Sequence, residues 1–324
     1  MSGRETRPLV VDVRHNSLDD GPGVRTAVFF KGCPLRCVWC HNPEAISPKA
    51  ELAWFQKKCL ACGACVKACR HGATQAGCRP EAVGRSRSSS DSGIRPPASS
   101  LQSPAFFRDR CQACFACVDG CPSGARRRAG RPVELDALVA EILKDEPFYR
   151  NSGGGVTLSG GEPMMFVDFS GGLLKALKEQ GVHTIVETCG LFNLEKFVNL
   201  ALPYANAVYF DMKFFAPELH ARHTGVGNEV ILKNLAALAA AAREKILPRV
   251  PLIPGLTATP ENLRAIGAHL RSLGFTEAKL LPYNPLWPEK AAAVGRRESF
   301  RHDGFMKREE VEECERVFAA ALKG

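Results

Sequence analysis

Residues 27–42 read AVFFKGCPLRCVWCHN, an apolar run that passes straight into three cysteines. The run at 27–30 has the make-up of a buried strand. Cys33, Cys37 and Cys40 follow it, spaced by three residues and then by two. A tetrahedral zinc site or a four-iron cluster takes four protein ligands. Three cysteines therefore leave one coordination place open, as in catalytic metal sites that keep a position for substrate.

Working outward, further short apolar runs read as strands at 155–159, 184–188, 207–211, 249–253 and 279–283. Amphipathic stretches lie between and beyond them, at 133–146, 169–180, 228–245, 260–273 and 308–322. In the first of these, Leu135, Leu138, Val139, Ile142 and Leu143 recur at helical spacing. Strands followed by helices imply a parallel sheet with crossover connections. Six strands are too few for a closed eight-stranded barrel. The expected fold class is therefore α/β, a partial (β/α)6 barrel with its site at the C-terminal ends of the strands. The three-cysteine loop begins at such an end.

Fourteen cysteines in 324 residues is the feature that composition adds. They are bunched, and the N-terminus shows no secretory pattern, so metal or iron–sulfur ligation is expected rather than disulfides. CLACGACVKAC supplies Cys59, Cys62, Cys65 and Cys69, and CQACFACVDGC supplies Cys111, Cys114, Cys117 and Cys121. Both follow the ferredoxin run in which the fourth cysteine ligates the other cluster. One set is then Cys59, Cys62, Cys65 and Cys121, and the other is Cys111, Cys114, Cys117 and Cys69. Paired structural zinc sites are the alternative; cysteines this crowded suit compact clusters better. The stretch between the runs, rich in Ser, Arg, Gly and Pro, reads as a flexible insertion over 80–105. The domain expectation is 1–56 and 129–324 for the partial barrel, with 57–128 as an inserted ferredoxin-like module.

The formal net charge of +9 is partly local, at Arg79, Arg85, Arg87 and Arg95 and in RRRAGR at 126–131. No nucleic-acid module accompanies these residues, so a solvated loop or a face for an acidic partner is the simpler reading. No apolar run reaches membrane-span length. The expectation is a cytoplasmic chain with neither nucleic acid nor membrane as partner.

The C-x3-C-x2-C loop, with Trp39 before its last cysteine, resembles the signature of the radical S-adenosylmethionine superfamily. Ser159-Gly160-Gly161-Glu162-Pro163 follows the second of these strands, where that family has its GGE segment. The likeness extends to the activating enzymes of glycyl radical enzymes. HNSLDDGPGVRTAVFFKGCPLRCVWCHNPE, NSGGGVTLSGGEP, ETCG, FDMK, HTGVGN, RVPLIPG and LLPYNPL match their pattern in order. Ala258 and Asn284 depart from it, at positions where Asp and His are common.

The resemblance implies three four-iron clusters, one open to S-adenosylmethionine at Cys33, Cys37 and Cys40 and two in the inserted module. It implies reductive cleavage of S-adenosylmethionine to methionine and a 5′-deoxyadenosyl radical, which takes hydrogen from a backbone glycine of a partner glycyl radical enzyme. Ferredoxin or flavodoxin is the implied electron donor. Trp39, Gly160, Gly161, Glu162, Asp211 and Lys213 are implied to lie at the cofactor. Glu187, Thr188 and Asp211 are implied near a monovalent cation, and Arg249 at the cofactor or the partner's glycine loop. Cys189, Cys314 and Cys78 read as core or loop residues. Two rivals remain: a radical enzyme acting on another protein or a small molecule, and an electron-transfer protein built round the ferredoxin module.

Overall fold

The computed structural model describes residues 7–77, 103–297 and 299–324. Cys78 and nearly all of the expected insertion at 80–105 lie outside the described residues. In chain order the strands are β1 (Leu9–Ser17), β2 (Arg25–Lys31), β3 (Glu51–Trp54), β4 (Thr74–Gln75), β5 (Ala105–Phe106), β6 (Arg126–Ala129), β7 (Arg131–Pro132), β8 (Gly155–Gly160), β9 (His183–Thr188), β10 (Ala207–Asp211), β11 (Ile246–Leu252) and β12 (Lys279–Pro282). The helices are α1 (Ala64–Ala68), α2 (Ala116–Asp119), α3 (Leu135–Ile142), α4 (Glu146–Ser152), α5 (Val167–Glu179), α6 (Leu194–Leu200), α7 (Pro217–Thr224), α8 (Glu229–Ala242), α9 (Pro260–Ser272), α10 (Pro288–Ala293) and α11 (Arg308–Lys323).

These elements form two compact units: Met1–Lys49 with Gly130–Pro288 and Glu298–Gly324, and Ala50–Ala129 with Glu289–Arg297. The smaller unit takes in more chain than 57–128. Strand β3 belongs to it because it pairs with β6, and the segment after α10's start supplies Ala293 and Val294 to an apolar cluster with Ala53 and Ala129.

The larger unit is built on one sheet in the order β12-β11-β10-β9-β8-β2-β1-β7. From β2 through β8 to β12 every pairing is parallel and follows chain order. All seven residues of β2 are buried, as a parallel strand covered on both faces requires. Strands β1 and β7 extend the sheet antiparallel beyond β2. Sequence reading passed over β1 because LVVDVRHNS mixes polar and apolar residues, which suits an edge region better than a core run.

The helices pack by one face each. Leu173, Leu174 and Leu177 of α5 and Leu263, Ile266 and Leu270 of α9 enter the same core as Val156, Val186, Val208 and Val250 from the strands. Thr259 caps α9 by accepting from the Asn262 N–H, and Pro260 stands in the first turn, where its missing donor does no harm. The parallel register brings Asp211 of β10 opposite Arg249 of β11.

The smaller unit repeats itself. Strand β3 pairs antiparallel with β6 and β4 with β5, setting Trp54 opposite Arg126 and Phe106 opposite Thr74. Ala61 and Ala113 take matching left-handed conformations, φ 53° and 51°, and Gly63 is matched by Phe115. Each half is a short 3-10 turn into the cysteine loop and a single-turn helix, α1 or α2.

Candidate active site and cysteine-lined cavities

The loop after β2 is pinned at several points. Gly32 and Cys33 N–H groups donate to the carbonyls of Ala45 and Ile46 at 2.7 and 3.0 Å, and Arg36 and Val38 N–H groups to those of Thr224 and His223 at 2.7 and 3.0 Å. Leu35 and Trp39 are buried beneath it, the Trp39 ring edge-on to Phe214 at 5.9 Å. What Trp39 visibly does is anchor the loop. The three cysteines are half-buried as whole residues. Burial pushes Cys37 up to about 12 and also raises Cys40. Cys33 is lowered, first by a hydrogen bond from the Cys189 thiol. Thiols raised by burial ionise when a metal binds them, so the donor set fits a thiolate-ligated cluster.

Beside this loop, the β8 terminus comes close to the β2 backbone. The Gly161 and Glu162 N–H groups donate to Phe30 and Gly32 carbonyls at 2.8 and 2.7 Å. A Cβ on Gly160 would stand 2.4 Å from the Phe30 nitrogen, and one on Gly161 2.1 Å from the Gly32 oxygen. Backbone packing against β2 thus already requires both glycines. The Glu162 carboxylate is fully buried and raised, chiefly by desolvation. It accepts from Met164 N–H at 3.0 Å, Cys189 N–H at 2.7 Å and the Thr188 hydroxyl at 2.9 Å. In this arrangement it braces the ends of β8 and β9.

A charged row crosses the strand ends. Arg249 donates to Glu187 at 2.5 Å and to Asp211 at 2.8 and 2.9 Å, and Lys213 stands 3.3 Å from Asp211. Ser159 donates to the other Glu187 oxygen at 2.6 Å. Burial alone would raise Asp211, but Arg249 and Lys213 outweigh it and hold the carboxyl below its ordinary value. Burial would likewise lower Lys213 and Arg249, and the carboxylates reverse the sign in both. The turn 213–215 after β10 is fixed by two amides: Asn228 donates to the Phe214 and Phe215 carbonyls at 2.7 and 2.9 Å, and Asn262 to that of Lys213 at 3.0 Å.

In the smaller unit each interleaved cysteine set lines its own cavity. Cys59, Cys62, Cys65 and Cys121 share one with Trp54 and Arg126. Cys69, Cys111, Cys114 and Cys117 share one with Phe106 and Thr74. Among the described residues no three His, Cys, Asp or Glu side chains close on a point as around a single ion. A four-iron cluster binds each thiolate at a different iron, so it requires cysteines spread round a cavity.

The geometry thus brings Cys33, Cys37 and Cys40 into one loop, Glu162 with Thr188, and Glu187, Asp211, Lys213 and Arg249 into one charged row. The sequence motifs include Ser159 and Asn228 but assign neither a role of its own, and Asn262 lies outside them. Sequence reading also took Cys189 for a core residue: the residue is buried, but its thiol faces Cys33 and its N–H holds Glu162. Fully buried Arg25 was missed too. It donates to the Thr157 hydroxyl at 2.8 Å and the Val156 carbonyl at 2.7 Å, and burial pushes it down to about 10. Cys314 is the core residue expected of it, and Asn284, at one departure from the family pattern, caps its own turn by accepting from Leu286 N–H.

The chain matches the family described as "Radical SAM superfamily" over residues 109–264, a "4Fe-4S dicluster domain" over 58–125 and a "4Fe-4S single cluster domain" over 19–71. It is 34% identical to the indoleacetate decarboxylase activating enzyme of Tractidigestivibacter scatoligenes, over 89% of this chain and 87% of that one. It is 36% identical to the isethionate sulfite-lyase activating enzyme of Nitratidesulfovibrio vulgaris, over 90% and 88%. To the trans-4-hydroxy-L-proline dehydratase activating enzyme of Clostridioides difficile it is 34% identical over 97% of both chains.

Proposed function

The chain belongs to the glycyl radical enzyme activating enzymes of the radical S-adenosylmethionine superfamily, and we propose how its residues divide that work. It is an enzyme that carries iron–sulfur clusters and uses S-adenosylmethionine, and a glycyl radical enzyme is its substrate. Cys33, Cys37 and Cys40 hold the cluster at the barrel mouth. Bound there, a cluster would supply the one electron that cleaves the S–C5′ bond of S-adenosylmethionine to methionine and a 5′-deoxyadenosyl radical, which would take a hydrogen atom from a backbone glycine of the partner.

The chain's own contribution is placement. The Gly160–Glu162 turn, held against β2, sets its backbone beside the cysteine loop. Asp211 and Lys213 offer the cofactor a carboxylate and an ammonium whose charges are locked by each other and by Arg249. A monovalent cation near Glu187, Thr188 and Asp211 would share those carboxylates with Arg249. The two cavities of the smaller unit hold the second and third four-iron clusters, fed by a ferredoxin or flavodoxin in an oxygen-free cytoplasm. Among the described residues no helix is long and apolar enough to cross a membrane.

The single observation that carries the assignment is the three-thiol loop pinned beside the Gly161–Glu162 turn at the strand ends. Near-equal identities of 34%, 36% and 34% to activators of three different enzymes select no particular partner. The test is anaerobic reconstitution with iron and sulfide, followed by dithionite and S-adenosylmethionine. The expected result is 5′-deoxyadenosine from the intact chain and none from Cys37→Ala. A glycyl doublet in electron spin resonance on adding a glycyl radical enzyme encoded beside this gene identifies the partner. Product formation by Cys37→Ala overturns the assignment.

A further inference from the structure

Arg126 is the least expected residue of the smaller unit. It opens the basic run RRRAGR, which reads as solvated, yet it is 2% exposed, while Arg127 and Arg128 beside it on β6 do face solvent. All three guanidinium nitrogens are buried without a hydrogen-bond partner among the described residues. Its neighbours are aromatic: the guanidinium carbon lies 4.9 Å from the Trp54 ring centre and 4.8 Å from that of Phe106. Arg108 covers Phe106 at 5.1 Å and adds a like charge.

A buried cation without acceptors is unstable unless something of opposite charge arrives. Ring faces offset part of the desolvation but leave the charge uncompensated. The geometry shows where the compensation would come from. Trp54 lines one cysteine cavity and Phe106 the other, and the two rings meet edge to face at 6.2 Å. Arg126 itself lines the first cavity. Its guanidinium also lies over the Phe106 ring that lines the second, so the charge stands beside both. The matching position in the other half of the repeat is Thr74, small and uncharged. One guanidinium therefore serves two cavities. A four-iron cluster with four thiolate ligands is anionic and becomes more so on reduction.

We propose that Arg126 is the shared counter-charge of the two auxiliary clusters, set in the Trp54–Phe106 wall between their cavities, where it holds both clusters in place and raises both reduction potentials. The proposal rests on reading the two cysteine sets as cluster sites. It makes Arg126 a positioning residue for electron entry, acting through the clusters. Hydrogen bonds and charge near the sulfurs are among the factors that set such potentials.

The test is a redox titration of the full reconstituted chain, followed by electron spin resonance, with the open-site cluster recognised by its response to S-adenosylmethionine. In Arg126→Met both auxiliary couples are expected to move to more negative potential, with the reduced-to-oxidised ratio at fixed potential falling about tenfold, or ~59 mV for one electron. The open-site couple stays in place. Arg126→Lys keeps the charge and is expected to keep both potentials within about threefold of the parent ratio. Should Arg126→Met lose auxiliary iron, retention of iron and potentials by Arg126→Lys still supports the charge. Unchanged potentials in an iron-replete Met variant overturn the proposal, as do equal shifts in Met and Lys or loss of iron from both. About four irons in the parent chain would instead remove the cluster reading itself, and the proposal with it.

Discussion

Arg249 shows at the scale of one residue how the site is held. Its guanidinium sits between Glu187 and Asp211, and all three side chains are less than a quarter exposed. Removing it leaves two carboxylates facing each other in a poorly solvated place, a change that costs on the order of 3–5 kcal/mol for a broken buried pair. Arg249→Met is therefore expected to lower the urea midpoint clearly, and Arg249→Lys less so. The pH dependence has a definite sign. Asp211 is depressed in the folded chain, so its contribution is complete above the unfolded value of ~3.9 and is lost as pH falls through the folded value. Lys213 is raised, so its contribution is complete below ~10.4 and is lost as pH rises through the folded value. Asp211→Asn should remove that part of the acid-limb loss, read as a smaller drop in the urea midpoint between pH 5 and pH 3. The Glu162 carboxylate is a second case. Thr188→Val deletes the hydroxyl that bonds both its oxygens, which should destabilise by about 1–3 kcal/mol in the same urea measurement.

Strand ends and the turns after them place these residues. The Gly160–Gly161 pair was legible as a special turn, but its cause was not. Sequence suggests glycines that admit a ligand, whereas the structure shows β8 backbone lying against Phe30 and Gly32. The reason is register: Phe30 meets Gly160 across a parallel pair that a linear reading cannot align. Gly161→Ala would drive a methyl into the Gly32 carbonyl and the turn at Ala45. The expected outcome is displacement of the cysteine loop, with open-site iron and 5′-deoxyadenosine formation lost while far-ultraviolet circular dichroism stays close to the parent's. Retained cleavage activity would show that the loop tolerates the shift. The role of the Asn262 amide is hidden for a similar reason, since it acts on the 213–215 turn from α9, far along the chain.

For the molecule as a whole, cysteine usage gives the most direct test of organisation. If each cavity of the smaller unit takes one cluster, Cys121→Ala and Cys59→Ala should lose the same component of the electron spin resonance spectrum. Cys69→Ala and Cys111→Ala should lose the other, each variant dropping about four irons. Pairing of Cys69 with Cys59 instead would contradict the lining seen here. The sequence by itself determined the parallel core and the three-cysteine loop, because buried parallel strands are continuous apolar runs and ligand spacing is local in the chain. It also carried the family likeness, because those motifs recur in order. Only the tertiary structure decided which charges meet, that Cys189 faces Cys33, and that Arg126 is buried between two rings rather than solvated with its neighbours. Burial and charge pairing depend on distance in space, and residues as far apart as Glu187 and Arg249 become partners only when the strands that carry them lie side by side.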